Sequence, residues 1–423
     1  MTRVALIAKP GATHTGVGRY VATLAQGVRD LGLDVRQAAP VLPPLPGAAW
    51  GLLRRAGIDA RSFLLNYPLW ASYPAADVYH LTSQNLASVL CFRRPRRPVV
   101  VTVHDIIPYL LRNDPALSPY RNRGDRLFDR LAMSGLRRAD RLVADSEYTR
   151  QRLVDYLHIP QERIEVVHLG VDPDRFRPLP VSSDIYARYG LRAGVRYLIY
   201  AGSEDARKNL PALVRALAVV RGDQGEVELL KVGRAHHAAG RQELIALSEQ
   251  LGVRSAVHFL EDVPEADLPL LYGLAAVCVM PSLYEGFGFP VLEAMACGTP
   301  VICANATSLP ELAGDAAILV DGGAGFAERL AQELGRLLRD RKLAEELRTR
   351  GLAQAARFRW SDTAGRMARL YGELGAKAGG ETGIEGIRSG GILSGVPPAV
   401  WAERSRRGPE RFDPVHRTAG ESE

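Results

Sequence analysis

Short apolar runs alternate with helix-like segments along most of the chain, and this alternation restricts the fold more than any other feature. The runs are rich in Val, Ile and Leu without a polar residue at every second position, as in parallel strands covered on both faces. They are Val4–Ala8, a run from Val35, Val78–Leu81, Val99–Val103, Leu142–Ala144, Ile164–Val167, Tyr197–Ala201, Val227–Val232, Val257–Leu260, Ala276–Met280, Val301–Ala304 and Ala317–Val320. Two sets of about six strands predict an α/β protein with two doubly wound, Rossmann-like domains.

Two interruptions of this pattern divide the chain. Prolines and glycines between residues 177 and 194 break any regular period, so we expect a domain boundary there. The helix-like segment Asp362–Leu374 follows Ser361, which is a suitable N-cap residue. Beyond it the chain is rich in Gly, Arg and Pro and has little apolar periodicity, which is typical of disorder. The predicted parts are an N-terminal domain at 1–180, a C-terminal domain at 181–360, a C-terminal helix at 361–376 and a disordered tail at 377–423.

The first apolar run and the cysteines indicate a cytoplasmic protein. Val4–Ala8 is shorter than the apolar part of a signal peptide, and a membrane span needs ~20 apolar residues. The four cysteines form no CxxC pair and have no His-rich neighbourhood, which favours reduced thiols over disulfides or a zinc site.

Positive charge is concentrated in the first domain. Residues 1–180 carry 25 Lys and Arg against 16 Asp and Glu, whereas the remainder carries 29 against 31. The basic residues cluster at Arg93–Arg97 and between Arg121 and Arg141, where interleaved apolar residues predict an amphipathic helix. Two interpretations remain open, a helix on an anionic membrane surface and an ordinary solvated helix. Nucleic acid is not expected, because the aromatic residues of a stacking platform are absent from this segment.

The most specific motif is the segment EGFGFPVLE, which runs from Glu285 to Glu293 directly after a predicted strand. Pro290 is suited to the first turn of a helix, and Gly286 and Gly288 allow the backbone to approach a ligand closely. Free amides and the positive end of the helix dipole suit a diphosphate, and Glu293 can accept hydrogen bonds from vicinal hydroxyls. Either glutamate alone would be explained by helix stabilisation or solvation, but the complete unit predicts a binding site.

Three weaker signals follow other predicted strands. Arg207 and Lys208 can neutralise the charge of a departing diphosphate, although such pairs are also common on surfaces. Gly16 and Gly18 open a helix after the first strand and could close over phosphates. They are not a dinucleotide fingerprint, because a valine stands at the third glycine position. His104 ends a very apolar strand, a position that favours a role in the site over a purely structural one.

No convincing metal site is found in the sequence. Asp172 and Asp174 lie in a segment where Asp and Pro are expected for turn formation alone. His236 and His237 lack a further ligand at metal-binding spacing.

Taken together, these motifs resemble the retaining glycosyltransferase family 4, glycosyltransferase group 1, whose members have the GT-B architecture. The resemblance covers most of the chain up to about residue 375. It rests on Gly16–Tyr20, His104–Pro108, Asp145–Arg150, Gly170–Asp172, Ala206–Leu210, Glu285–Glu293 and Ser308–Ala317. One departure is Ala206, where many relatives have Pro before the Arg-Lys pair.

The resemblance implies that a nucleotide-sugar donor binds in the cleft between the two domains. Arg207 and Lys208 would hold its phosphates, and Gly16 and Gly18 would close over them from the first domain. Glu293 would bind the ribose hydroxyls. The helix after Trp360 would cross back to the first domain.

The resemblance also implies the positions of the reacting groups. Glu285 and the amides of Gly286, Phe287 and Gly288 would hold the transferred sugar, and His104 would contact it close to the reacting carbon. The acceptor would attack the face that the diphosphate leaves, and the leaving phosphate would take the acceptor's proton. The family generally uses no bound metal, and we expect no cofactor besides the donor substrate.

The transferred sugar and the acceptor are less constrained. The segments 200–210 and 308–317 are most similar to mannosyl-transferring relatives, with glucosyl and N-acetylhexosaminyl transfer as alternatives. A saccharide or lipid-linked acceptor of the cell envelope is expected, because such enzymes meet lipid-linked acceptors through a basic first domain. Two rivals on the same fold are a nucleotide-sugar epimerase, which the two-glutamate motif disfavours, and a non-catalytic nucleotide-sugar-binding protein.

Overall fold

Two six-stranded sheets form the centres of the fold. A computed structural model describes residues 1–9, 16–42, 47–48, 51, 55, 60–120, 122–235 and 238–379. The strand order is β2-β1-β5-β6-β7-β8 in the first sheet and β11-β10-β9-β12-β13-β14 in the second, with every neighbouring pair parallel. The strands are β1 Arg3–Ile7, β2 Asp34–Ala38, β3 Pro40–Val41, β4 Trp70–Ala71, β5 Val78–Leu81, β6 Val99–Val103, β7 Arg141–Ala144, β8 Ile164–Val166, β9 Arg196–Ala201, β10 Val227–Val232, β11 Val257–Leu260, β12 Val277–Met280, β13 Val301–Ala304 and β14 Ala317–Val320. The predicted pair of doubly wound parallel sheets is confirmed.

Helices cover the faces of both sheets. They are α1 Gly16–Asp30, α2 Ala60–Asn66, α3 Ile107–Leu110, α4 Arg123–Leu136, α5 Glu147–Leu157, α6 Ser183–Tyr189, α7 Leu210–Gln224, α8 Ala238–Gln250, α9 Leu268–Leu274, α10 Phe289–Ala296, α11 Leu309–Ala313, α12 Phe326–Arg339, α13 Arg341–Ala355 and α14 Trp360–Gly379. Sequence features explain several of their starts. The Ser146 side chain caps α5 by accepting the N–H of Thr149, and α7, α9, α10 and α11 each carry Pro in the first turn.

The central strands are buried on both faces, as their continuous apolar sequence requires. All five residues of β6 and all six of β10 are buried. Alternate residues of β6 point to opposite faces, so Val100 and Val101 belong to different apolar clusters. The cluster that contains Val100 extends through α1 and α14 into the core of the second sheet. The two halves of the chain therefore share a continuous apolar core.

Helix α14 packs against the first sheet's side of the molecule. Gly27 of α1 lies so close to Ala364 of α14 that a Cβ at Gly27 would stand 2.8 Å from the Cβ of Ala364. The helix begins at Trp360, so the prediction that Ser361 is its N-cap is wrong. The Arg359 carbonyl accepts the N–H groups of Asp362 and Thr363, which places Ser361 inside the first turn.

The predicted limits of the C-terminal helix and of the tail differ from the observed elements. The boundary at residue 180 falls between β8 and β9 and stays a prediction. The C-terminal helix is longer than the predicted 361–376, because α14 continues to Gly379. Residues 377–379 of the predicted disordered tail are therefore helical, and residues 380–423 lie outside the described residues.

Candidate active site

The candidate site lies where loops at the carboxyl ends of both sheets meet. His104 follows β6 of the first sheet directly, while the loops after β9 and β12 of the second carry Lys208 and Glu285. The loops touch at Gly286, because a Cβ there would lie 2.2 Å from the His104 carbonyl oxygen and 2.7 Å from the Asp105 Cβ. Only glycine permits this approach of the two halves.

Three of the residues that the sequence singled out form one charge cluster. Glu285 is buried, and its Oε1 accepts from Lys208 Nζ at 2.5 Å and from Ser282 Oγ at 2.8 Å. Arg207 Nη1 lies 3.5 Å from Glu285 Oε2. Burial alone would raise the pKa of Glu285, but the charges of Lys208 and Arg207 hold it below its ordinary value. The carboxylate is therefore ionised at neutral pH and fixed beside two cations.

Hydrogen bonds between backbone groups fix the loop that carries Arg207 and Lys208. Lys208 N–H donates to the Asp205 carbonyl at 2.8 Å, and Asn209 N–H donates to the Ala206 carbonyl at 3.1 Å. Asn209 then adopts a left-handed conformation with φ of 55° and leads into α7. The Arg207 guanidinium donates to the Tyr284 carbonyl at 2.8 Å, which ties it to the Glu285 loop. The turn thus closes with Ala at position 206, where many relatives have Pro.

Glu293 lies on α10 and is almost completely buried. Its Oε2 accepts from the Tyr272 hydroxyl at 3.1 Å, and its Oε1 accepts from Arg19 Nη1 at 2.9 Å. Arg19 belongs to α1, so this ion pair connects the two halves of the molecule. The sequence interpretation missed Arg19 as a site residue, although it stands next to Gly18 in a motif already singled out.

The N-termini of two helices converge at the same place. Gly288 is the N-cap of α10 with φ of 118°, a conformation that favours glycine, and Pro290 lies in the first turn as predicted. A Cβ at Gly16, the first residue of α1, would lie 3.7 Å from the ring of Phe289. The first residues of α1 and α10 therefore lie close together, and two positive dipole ends in one place suit an anion.

Gly18 and Phe287 complete the predicted donor set. Gly18 lies in the first turn of α1 together with Gly16. Phe287 is buried, and its ring packs against Phe289 with centroids 5.2 Å apart. Its carbonyl accepts from Ser308 Oγ at 2.7 Å. The side chain of Phe287 thus belongs to the core and fixes the backbone whose amides the resemblance assigns to the sugar.

Both ring nitrogens of His104 have protein partners. Nδ1 lies 2.5 Å from Asp145 Oδ2, and Nε2 lies 3.0 Å from the Thr82 carbonyl oxygen, which can only accept. Burial lowers the pKa of His104, but the charge and hydrogen bond of Asp145 outweigh burial and raise it above its ordinary value. The sequence assigns no role to Asp145, although it begins one of the family-like motifs. The structure shows that it is the partner that fixes the His104 ring.

Further contacts hold the two halves together around the cleft. Ser146 Oγ donates to the Gly286 carbonyl at 2.8 Å. The backbone N–H of Glu147 donates to both carboxylate oxygens of Glu311 on α11, at 2.8 and 2.9 Å, and His168 Nε2 lies 2.6 Å from Glu311 Oε1. Glu311 therefore caps the N-terminus of α5 from the opposite half. Sequence reasoning could not identify this role, because the partners are 164 residues apart.

Two further pairs of residues were considered as metal ligands from the sequence. Asp172 Oδ1 accepts the N–H of Asp174 at 3.0 Å, so the predicted turn role of this pair is confirmed. His236 and His237 lie outside the described residues. In the described part of the chain, no group of three or more His, Cys, Asp or Glu is arranged to hold a metal ion, and no helix is both long and apolar enough to cross a membrane.

Comparisons with known proteins assign the chain to a family. The family model described as Glycosyltransferase Family 4 matches residues 14–175, and the model described as Glycosyl transferases group 1 matches residues 183–354. O-antigen chain mannosyltransferase B of Escherichia coli is 28% identical over 383 residues, which cover 84% of this chain and 96% of that protein.

Two further similarities agree with this assignment. D-inositol 3-phosphate glycosyltransferase of Thermobispora bispora is 34% identical over 243 residues, which cover 56% of each protein. Among solved structures, sucrose-phosphate synthase from Thermosynechococcus elongatus superposes with a TM-score of 0.69 at 22% identity, covering 89% of this chain and 100% of that one. The two family models together extend from residue 14 to residue 354, and the paired parallel sheets are of the GT-B type. This chain therefore belongs to the group 1 glycosyltransferases of family 4.

Proposed function

We propose that this glycosyltransferase transfers a hexose from a nucleoside-diphosphate sugar to a saccharide or lipid-linked acceptor, with retention of the anomeric configuration. The observation that carries the proposal is the Glu285 cluster. An ionised, buried carboxylate and two cations stand beside two converging helix N-termini, and Glu293 follows one helical turn later. This combination suits a ligand with hydroxyls at one end and a diphosphate in the middle.

The charges of the site suit departure of a nucleoside diphosphate. Lys208, Arg207 and the amides at the start of α10 supply positive charge where the diphosphate charge would grow as the glycosidic bond breaks. We therefore propose that the reaction needs no bound metal. The acceptor oxygen attacks the anomeric carbon on the face that the diphosphate leaves, and the acceptor's proton passes to a phosphate oxygen. In this proposal Glu285 holds the transferred sugar, and His104 contacts it when Nε2 gives up the Thr82 carbonyl.

Mannose is the favoured sugar, with glucose or N-acetylhexosamine as alternatives. The support is the similarity to an O-antigen chain mannosyltransferase over 96% of that protein's length. The relatives named above are transferases or synthases, which gives no support to an epimerase or to a non-catalytic binding protein.

A peripheral position on an anionic membrane fits a lipid-linked acceptor. On α4, Leu127 is exposed between Arg126 and Arg130, and near the other basic cluster Phe92 is exposed beside Arg93. Apolar side chains surrounded by arginines are typical of surfaces that bind anionic lipid. Sedimentation with anionic vesicles tests this part: an R126Q/R130Q variant that sediments as well as the unchanged protein would contradict it.

The donor assignment is tested by ligand-dependent stability. We would record thermal unfolding of the unchanged protein, E293Q and the control E345Q with GDP-, UDP- and ADP-sugars; Glu345 is an exposed residue of α13. A ligand present at about 100 times its dissociation constant adds about 2.7 kcal/mol to the folded state. We expect one nucleotide class to stabilise the unchanged protein and E345Q to the same extent. The same nucleotides should stabilise E293Q much less. Absence of any shift at millimolar concentration would overturn the proposed donor site.

The transfer itself needs a second measurement. Release of the nucleoside diphosphate in the presence of candidate acceptors, with NMR of the new anomeric proton, shows turnover and stereochemistry. We expect the configuration of the donor to be kept. An inverted product would contradict retention while leaving the donor site intact.

A further inference from the structure

The ion pair between Arg19 and Glu293 joins two helices that belong to different sheets. Arg19 Nη1 lies 2.9 Å from Glu293 Oε1, and the two residues are 274 positions apart. The Glu293 side chain is only 4% exposed, whereas that of Arg19 is 29% exposed. The Arg19 guanidinium also lies over the Phe289 ring, 5.3 Å from its centroid. The carboxylate is thus fixed, and the guanidinium is the partner with access to solvent.

This ion pair conflicts with the role proposed for Glu293. The Oε2 atom of Glu293 already accepts from the buried hydroxyl of Tyr272. Oε1 is bound by the partly exposed Arg19, so it is the oxygen that a ligand can reach. With Oε2 engaged by Tyr272, a pair of ribose hydroxyls would need both accepting positions of Oε1, so the ribose and the guanidinium compete for this oxygen.

The position of Arg19 gives it an alternative partner. It lies in the first turn of α1, beside the two glycines Gly16 and Gly18 and opposite the start of α10. A diphosphate bound between these helix ends would lie next to the guanidinium. The planar fork of arginine matches phosphate oxygens and binds them with two hydrogen bonds.

We propose that Arg19 is a donor-binding residue that exchanges Glu293 for the diphosphate when the nucleotide sugar enters. The inference rests on the proposed function, because it takes Glu293 as the ribose ligand. A nucleoside without phosphate has to break the ion pair and offers Arg19 no new partner. A nucleoside diphosphate breaks the same ion pair and supplies one. Arg19 therefore makes binding selective for the phosphorylated ligand.

The test compares each nucleoside with its own diphosphate. Dissociation constants are measured by calorimetry for guanosine and GDP, uridine and UDP, and adenosine and ADP, with the unchanged protein, R19M and R19K. Arg29→Met, at the exposed end of the same helix, is the matched control. We expect R19M to bind the diphosphate roughly tenfold to hundredfold more weakly and the nucleoside at least as tightly as before. We expect R19K to lie between, since lysine keeps the charge but loses the fork.

Opposite changes for the two ligands would distinguish a direct contact from a structural effect. Equal weakening of nucleoside and diphosphate by R19M, or no change in either, would overturn the inference while the proposed function stands. If the unchanged protein binds none of the three diphosphates, the proposed function fails first and the role of Arg19 with it. Should R19M fold poorly, R19Q provides the same comparison, because it removes the charge and keeps a polar side chain.

Discussion

Glu311 of the second half of the chain caps a helix of the first half, accepting the backbone N–H of Glu147 with both carboxylate oxygens at 2.8 and 2.9 Å. A carboxylate at a helix N-terminus satisfies free amides and interacts favourably with the helix dipole. Here the capping group comes from the other side of the cleft. The helix start therefore acts as a contact that holds the cleft closed, together with Ser146 and Gly286.

Replacement of Glu311 by Ala should open the cleft. The variant loses the acceptor for the α5 amides, and we expect it to lose about 1–3 kcal/mol of stability together with part of its turnover. Urea denaturation gives the stability, and small-angle scattering gives the separation of the halves with and without the donor. Glu328→Ala, at an exposed position of α12, is the control. A scattering profile identical to that of the unchanged protein would show that Glu311 does not hold the cleft closed.

Gly286→Ala should separate the loops at the centre of the site. A Cβ at this position would lie 2.2 Å from the His104 carbonyl oxygen, so one loop has to move. We expect turnover to fall by about a hundredfold, because misplacement of reacting groups by about 1 Å has effects of that size. Gly222→Ala on α7 is the control, since a Cβ there meets nothing within 4 Å. Full activity of G286A would contradict the close contact of the two halves.

Lys208→Met should lower both turnover and stability. It removes the closest cation of Glu285 and leaves a buried carboxylate with Arg207 as its remaining cationic neighbour. We expect the rate of donor turnover to fall by about 10²–10³, the usual effect of losing a group that stabilises charge in the transition state. Lys342→Met on the exposed face of α13 should change neither property. A K208M variant with unchanged turnover would remove Lys208 from the proposed mechanism.

The pair His104 and Asp145 should make stability fall as the pH rises. Because the folded-state pKa of His104 is raised above 6.5, its stabilising contribution is complete below pH 6.5 and is lost as the pH passes the folded-state value. Asp145→Asn removes the charge that raises this pKa. We therefore expect the loss on the alkaline side to disappear in D145N when urea unfolding is followed from pH 5.5 to pH 9. Parallel curves for the two proteins would contradict this assignment.

Tyr371→Phe should destabilise the protein at neutral pH. The Tyr371 hydroxyl lies 2.6 Å from His80 Nδ1, and His80 Nε2 lies 2.8 Å from Thr102 Oγ1. Burial, aided by the charge of His104, lowers the pKa of His80 to about 3, so the ring stays neutral and each of its buried nitrogens needs a hydrogen-bond partner. We expect a loss of about 1–3 kcal/mol, measured by urea unfolding at pH 7. Tyr156→Phe, at an exposed position of α5, is the control.

The contribution of His80 itself has the opposite pH dependence to that of His104. Its folded-state pKa is depressed, so its contribution is present above pH 6.5 and declines as the pH falls towards about 3. His80→Gln should therefore flatten the acid side of the stability curve, whereas D145N flattens the alkaline side. A curve for H80Q that falls as steeply as that of the unchanged protein would contradict the assignment.

The sheets were predictable because their signal is local. The apolar runs at 99–103 and 227–232 coincide with β6 and β10, since a strand buried on both faces needs an uninterrupted apolar sequence. The start of α14 was placed wrongly, because the capping preference of Ser361 is weaker than the tertiary contacts of the preceding turn. Gly170 packs so closely there that a Cβ would lie 2.2 Å from the Trp360 nitrogen.

The site was predictable only where its sequence signal is local. The Glu285 and Lys208 motifs are each continuous in sequence and stood out by composition. Arg19, the partner of Glu293, and Asp145, the partner of His104, were missed as site residues, because pairs that lie 274 and 41 positions apart have no local signature. The hydrogen-bond chain from Tyr371 to His80 also depends on the fold, since it joins residues 291 positions apart.

The burial of Tyr371 has a consequence for the order in which this chain can fold during synthesis. The Tyr371 side chain is buried against β5 and β6, yet the residue is translated after all strands of the second sheet. The last strand of the first sheet ends at Val166, and the helix that covers this sheet is translated almost 200 residues later. An apolar strip on the first sheet therefore stays exposed until that helix has been made. A fragment truncated before Trp360 would keep that strip exposed, and such fragments are prone to aggregate. In this molecule the last helix of the described chain completes the domain that was translated first.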